Sequence, residues 1–266
     1  MNKLKSVELF LALGIATAIG VSSVSAIDAE EASKVSELSA TPQLIAQDAE
    51  GGEGGEGGEG GEGGEGGEGG EGGGELSAGE QANADFQDKL SGAELLNELQ
   101  QGGYVIYFRH AQTEKDYADQ VSADVNDCST QRALSEAGWE QAQAIEEGFE
   151  SNSIPVGQVI SSEYCRAWQT AQIAFDRYEK NSALNFLPYE DYTDAQVEQM
   201  KNNVMPLLTA EPESGMNTVI VGHDDIFESA TGIYPAPQGI AYVVKPDGNG
   251  GMELIANLLP EEWSQL

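Results

Sequence analysis

The sequence predicts an α/β fold: a three-layer sandwich with a mostly parallel central sheet flanked by helices, preceded by a disordered linker. Three observations predict it. Short apolar runs alternate with helical stretches of ten residues or more, which is the pattern of strands joined by crossover helices. The run at residues 104–108 is β-branched and aromatic and apolar on both faces, as a strand covered on both sides must be. Polar residues that cap helices stand at the boundaries between the two kinds of segment.

In order along the chain, Ser91 is the expected N-cap of a helix reaching Gln101, which Gly102 and Gly103 end. The strand at 104–108 follows at once. Residues 111–133 are polar, with Asp and Asn in clusters, and read as a loop leading to a second N-cap at Ser135 and a helix to about Phe149. Val159 and Ile160 make a short strand, and Ser161 and Ser162 open a helix carrying Arg166, Trp168, Thr170 and Ile173. After an extended piece at 185–187, Thr193 caps a helix through Met205 and Leu208. Residues 217–221 are again strongly apolar, and 240–244 and 252–256 read as two last strands.

The first third of the chain has a different composition. Residues 1–26 begin with Lys3 and Lys5, continue through an apolar run from Leu9 to Val21, and end on Val24, Ser25 and Ala26, the pattern of a cleavable export signal. The run is shorter than the roughly 20 apolar residues a spanning helix needs, so no stable membrane insertion is expected after cleavage. Residues 51–71 are seven consecutive Gly-Gly-Glu triplets. Without proline they are not collagen-like, and with nothing apolar to bury and a like charge at every third position they read as an extended, solvated spacer. The expected organisation is a signal peptide at 1–26, an acidic linker at 27–84 and one domain at 85–266.

Of the net charge of −34, residues 1–84 carry 16 acidic and 3 basic residues and residues 85–266 carry 30 and 9, so the acidity is global. Nucleic acid and anionic membrane are disfavoured as partners, because both are bound through clustered Lys and Arg. An anionic ligand would need a local positive pocket, and the sequence offers one. The two histidines, His110 and His223, each directly follow a short apolar strand, and in open α/β sheets the site lies at the carboxyl ends of strands. Of four arginines, Arg109 precedes His110 and Arg166 follows the strand ending at Ile160. Guanidinium forks match phosphoryl oxygens bidentately, and neutral imidazole is a competent nucleophile near neutral pH.

The segment from Arg109 to Thr113 resembles the Arg-His-Gly/Ala signature of the histidine phosphatase (phosphoglycerate mutase-like) superfamily. Residues 161–171 resemble the family's Ser-x-x-x-x-Arg-Ala-x-x-Thr-Ala helix start, residues 219–223 its second-histidine strand, and residues 128–135 with Gly138 the opening of its first long helix. Two departures stand out: Ala111 replaces the commoner glycine, and Ile240 follows Gly239 where several relatives carry an acidic residue. The resemblance implies His110 as the phosphate-accepting nucleophile, Arg109, Arg166 and His223 as phosphoryl ligands, and no metal or other cofactor. For the proton donor to the leaving group it leaves two carboxyls, Asp224 and Glu190, with Asp224 preferred, although Asp224 can also serve as a helix N-cap.

Cys128 and Cys165 are the only cysteines. Export would bring them into an oxidising compartment where a disulfide persists, and with no Cys-x-x-Cys or Cys/His cluster a metal site is disfavoured, so a disulfide is preferred over two separate thiols. The expected activity is that of an exported, periplasmic or extracellular phosphatase acting on a small phosphorylated substrate or a phosphoprotein, phosphohistidine included. The alternative is a non-catalytic, anion-binding envelope module of the same fold.

Overall fold

The computed structural model describes residues 76–114, 119, 123–187 and 191–266. The signal sequence, the Gly-Gly-Glu tract and Glu190 lie outside the described residues.

The elements, in order, are α1 (Ala78–Ala84), α2 (Gly92–Gln101), β1 (Val105–Arg109), α3 (Glu136–Ser151), β2 (Val156–Ser161), α4 (Cys165–Phe175), β3 (Glu179–Lys180), α5 (Asp194–Leu208), β4 (Asn217–Gly222), α6 (Asp224–Thr231), β5 (Ala241–Pro246) and β6 (Met252–Leu258). The strands form one sheet in the order β3-β2-β4-β1-β5-β6. Parallel pairing joins β3 to β2, β2 to β4 and β4 to β1, while β5 runs antiparallel to both its neighbours, β1 and β6. Only β5 is therefore reversed, and the α/β class with a mostly parallel sheet holds as a mixed sheet of six strands.

The apolar run after Gly103 becomes the central strand because both of its faces are covered. Ile106 and Phe108 join one core layer with Leu95, Leu99, Ile145, Phe149 and Trp263. Val105 and Tyr107 join the other, with Met200, Val204, Leu208 and Phe227. Alternation along the pleat sends successive side chains to opposite layers. The Ser135 hydroxyl accepts from Gly138 N at 3.1 Å and starts α3 as expected, a cap worth about 1 kcal/mol. At the start of α5, Gln196 Oε1 accepts from Thr193 N and from the Thr193 hydroxyl, both at 2.8 Å.

Three boundaries differ from expectation. Helix α4 begins at Cys165, with Tyr164 as its N-cap, and the Ser162 hydroxyl stands before it, accepting from Tyr164 N at 3.2 Å and from His223 Nε2 and donating to Asn185 Oδ1. The edge strand on that side is Glu179–Lys180, which is not among the expected strands, while Asn185 has the extended backbone expected there. The domain also begins before residue 85: α1, in the span expected to be linker, is a capped helix with Ser77 accepting from Glu80 N, and its Asn83 bonds to Ala236 and Tyr242. Asp224 is the first residue of α6, and His223 is its N-cap.

Candidate active site

The carboxyl ends of β1, β2 and β4 meet at one edge of the sheet. Arg109 pairs with Gly222 across β1 and β4, so the residues that follow, His110 and His223, leave the sheet side by side. Their ring centroids are 5.4 Å apart. His110 is pinned through its backbone: its N–H donates to Gly222 O at 3.0 Å and its carbonyl accepts from Gly239 N at 2.9 Å. His223 is pinned through its carbonyl, which accepts from the Tyr107 hydroxyl at 2.7 Å. Gly222 is required here, since a Cβ at that position would collide with the same hydroxyl.

The partners of each ring assign its tautomer. His110 Nδ1 lies 2.8 Å from Ala111 O, which can only accept, so Nδ1 carries the proton and Nε2 presents its lone pair. Arg166 Nε donates to that Nε2 at 3.1 Å. Ala111 is itself fixed by donating to Thr170 Oγ1 at 3.1 Å, and Thr170 donates to Arg166 O at 2.7 Å, so the second arginine and the first histidine share one support. On the other side, Asn185 Nδ2 donates to Glu163 Oε2, which turns Asn185 Oδ1 towards the Ser162 hydroxyl. Having donated its proton there, Ser162 Oγ accepts from His223 Nε2 at 2.9 Å.

Both imidazoles are held well below their ordinary pKa, first by burial and then by the neighbouring guanidinium charge, Arg166 foremost. Both are therefore neutral at neutral pH. His110, Arg166 and His223 are each no more than 3 % exposed and Arg109 is 5 % exposed, so charge placed among them is poorly screened.

The structure brings together all four residues expected to bind or accept phosphate, and adds a carboxylate to each arginine. Arg109 Nη2 lies 2.6 Å from Asp224 Oδ2, Nη1 donates to Pro235 O at 3.1 Å, and the guanidinium faces the Tyr234 ring. The Tyr234 hydroxyl donates to Asp224 Oδ2 at 2.8 Å. Burial pushes the Asp224 carboxyl up, but Arg109, the Tyr234 hydroxyl and Asp225 N outweigh it and hold the group below the usual carboxylate range. Arg166 Nη1 lies 2.9 Å from Asp119 Oδ2. Asp119 also accepts from Arg132 N at 2.6 Å, and Arg132 donates to Thr113 Oγ1. Arg109 Nε is a buried N–H with no partner among the described residues, a donor that a phosphoryl oxygen would satisfy.

Cys128 and Cys165 are joined in the structure, tying the turn at 128–130 to the residue before Arg166. Gln131, fully buried, reinforces the link by accepting from Cys165 N at 2.8 Å.

Sequence reasoning missed Asp119, Tyr234, Gln238 and the place of Arg132. Gln238 accepts from Thr113 N at 2.8 Å, and its Nε2 is buried without a partner among the described residues. Arg132 had one signal, being one of only four arginines. The others stand in loop segments where nothing periodic marks them.

Fold and site together define an α/β domain that holds two neutral imidazoles beside two guanidinium groups at a sheet edge, a set of donors whose chemistry suits an oxyanion. Comparison points to the same family as the motifs: residues 105–226 match the model of the Histidine phosphatase superfamily (branch 1). Among solved structures, the protein histidine phosphatase SixA complexed with tungstate is similar at 16% identity, with a TM-score of 0.43 and 59% of this chain and 97% of that one covered. A putative α-ribazole-5′-P phosphatase from Escherichia coli is similar at 15% identity and TM-score 0.44, covering 59% and 98%. A putative phosphohistidine phosphatase SixA from Agrobacterium tumefaciens is similar at 20% identity and TM-score 0.41, covering 59% and 99%. No curated protein matches the chain.

Proposed function

We propose that this protein is an exported phosphatase that hydrolyses its substrate through a covalent phosphohistidine on His110. The observation that carries the reading is the unprotonated Nε2 of His110, oriented by the Ala111 carbonyl and set between Arg166, Arg109 and His223. An entering phosphoryl group takes over the Arg166 N–H for one of its oxygens and turns the Nε2 lone pair towards phosphorus. Nε2 then forms the P–N bond as the P–O bond (P–N for a phosphohistidine substrate) to the leaving group breaks with its electron pair, and the leaving group departs with a proton. Water attacks phosphorus, the P–N bond breaks back to neutral His110, and the water proton leaves to solvent or phosphate. Arg109 and Arg166 neutralise the charge on the transferring oxygens throughout. His223 can add a third donor, because a dianion beside it offsets the positive field that keeps it neutral.

The proton for the leaving group is assigned to Asp224 or Glu190. Paired with Arg109, Asp224 is ionised in the resting site, and it can hold a proton only once a phosphoryl dianion shares that arginine's charge. This favours substrates whose leaving group needs little help, phosphohistidine and aryl phosphates among them, over alkyl phosphates. Comparing Asp224→Asn and Glu190→Gln on aryl and alkyl phosphates decides the assignment, since losing the donor slows the alkyl ester far more. If only the Glu190 change abolishes turnover, the donor is Glu190.

The decisive experiment is His110→Ala assayed on small phosphomonoesters, with acid-labile phosphate trapped on the wild-type protein. Normal hydrolysis by the variant overturns the reading. An anion-binding module is the result if wild type binds inorganic phosphate and releases none from any ester or phosphohistidine. Export rests on the pattern of residues 1–26, and fractionation of cells producing the full chain, with the N-terminus of the mature protein sequenced, tests it.

A further inference from the structure

Helix α1 lies outside the span matched by the family model and in the stretch whose composition reads as linker, yet two of its residues grip a segment that borders the site. Gly79 O accepts from Tyr234 N at 3.1 Å. The approach is close enough that a Cβ at position 79 would run into the Glu228 carboxylate and lie 3.1 Å from Tyr234 Cβ. One helical turn later, Asn83 uses both ends of its amide: Nδ2 donates to Ala236 O at 2.9 Å, and Oδ1 accepts from the Tyr242 hydroxyl at 2.7 Å and from Ala236 N at 3.4 Å. The helix therefore holds residue 234 on one side of Pro235 and residue 236 on the other.

What lies between those grips is the support of Arg109. Its guanidinium donates to Pro235 O and to the Tyr234 hydroxyl, stands over the Tyr234 ring, and pairs with Asp224, which the same tyrosine holds. Each of these partners is in the 234–235 segment or fixed by it. A guanidinium so placed is only as well aimed as that segment, and placement errors at a phosphoryl site cost rate and affinity steeply.

We propose that α1 is an active-site brace, in which Gly79 and Asn83 position Arg109 for the phosphoryl group through residues 234–236. The proposal rests on Arg109 being a phosphate ligand, as in the proposed function, and needs no hydrolysis to be tested. Asn83 and Gly79 are positioning residues.

Inorganic phosphate and orthovanadate binding to the full chain, by calorimetry, provide the test. Asn83→Ala is expected to weaken both about tenfold, the scale of one well-placed hydrogen bond, while the folded far-ultraviolet spectrum is retained. Gly79→Ala, which presses on Glu228 and Tyr234, is expected to weaken them about threefold and gives a second reading should Asn83→Ala not fold. The discriminating arm is the pair of changes: in an Arg109→Ala background, Asn83→Ala should weaken phosphate no further, because the residue it positions is gone. Unchanged affinity in both single variants, or an equal loss with and without Arg109, overturns the brace. Wild type that binds phosphate without hydrolysing esters removes the proposed function alone, and the brace is then judged on binding.

Discussion

Arg109 and Arg166 carry the same charge beside the same imidazole, and the two regions of the molecule that hold them work by different means. Arg109 is built in. Its counter-ion Asp224 sits on the first turn of α6, is fixed by the Tyr234 hydroxyl and by Asp225 N, and belongs to a segment gripped from α1. Arg166 is held from the loop side: its counter-ion Asp119 comes from the long connection after β1, and the disulfide and Gln131 lash a later part of that connection to the start of α4. The difference teaches that two like charges beside one imidazole can be held by different means, one by a counter-ion fixed from α6 and the 234–235 segment, the other by a counter-ion on a loop.

The largest break in the comparison is expected from Arg166 itself. It touches the nucleophile as well as the proposed ligand, so Arg166→Ala should lower kcat/KM by about a thousandfold, the scale of a preorganised transition-state donor. Arg109→Ala should cost less, because among the described residues no hydrogen bond joins Arg109 to His110 Nε2, whereas Arg166 Nε donates to it. Steady-state kinetics on an aryl phosphate checks the order, and a larger loss from Arg109→Ala reverses the assignment. Next in size is Cys128→Ser. The disulfide closes a loop of 37 residues, and its loss should destabilise the domain by about 4 kcal/mol in the chain-entropy account. Denaturant midpoints should show this, and the kinetic damage should resemble a mild Arg166 defect.

How much of this was legible beforehand follows the same division. The apolar run feeding His110, the second run feeding His223, and the caps at Ser91, Ser135 and Thr193 are local signals, and each lies where the sequence places it. So are Arg109, His110, Arg166 and His223, because strand ends converge by topology alone. Asp119, Tyr234 and Gln238 were not legible. Their partners lie 47, 125 and 125 residues away, and no periodicity links a loop carboxylate to a distant guanidinium. Helix α1 was hidden for another reason: seven residues long and close behind the Gly-Gly-Glu tract, it carries no large apolar residue, and only the tertiary contacts of Gly79, Ala82 and Asn83 show that the domain begins there. Ser162 precedes α4 rather than opening it, and its hydroxyl serves His223 as well as Tyr164 N.

Acid should expose the charge balance of both regions together. The folded domain holds His110 and His223 neutral well below the ordinary imidazole value of 6.5, so as pH falls past that value the unfolded chain takes up protons that the folded one refuses. Stability from these two groups is complete above about pH 6.5 and is lost below it, by up to about 1.4 kcal/mol per pH unit for each ring. Relief of the chain's net negative charge works in the opposite direction, so the measurement is the difference in denaturant midpoint between wild type and His110→Gln at pH 7.5 and 5.5. An equal pH response in the two proteins contradicts the burial of a neutral His110.

The smallest effect is the sharpest test of the two arginines' difference. Asp119→Asn keeps the Oδ1 that accepts from Arg132 N, and with it that anchor of the loop, while removing the negative charge from Arg166. If Asp119 stands where the ligand's oxygens go, inorganic phosphate no longer competes with it, and binding should tighten about fivefold, near the 1 kcal/mol of a partly exposed ion pair. The gain should shrink in high salt, which screens the carboxylate and the incoming anion alike. Asp224→Asn should give no such gain, because Arg109 loses a support as well as a competitor. Weaker phosphate binding in Asp119→Asn would show instead that the loop carboxylate aims Arg166 as Asp224 aims Arg109, and the two regions would then work by one principle.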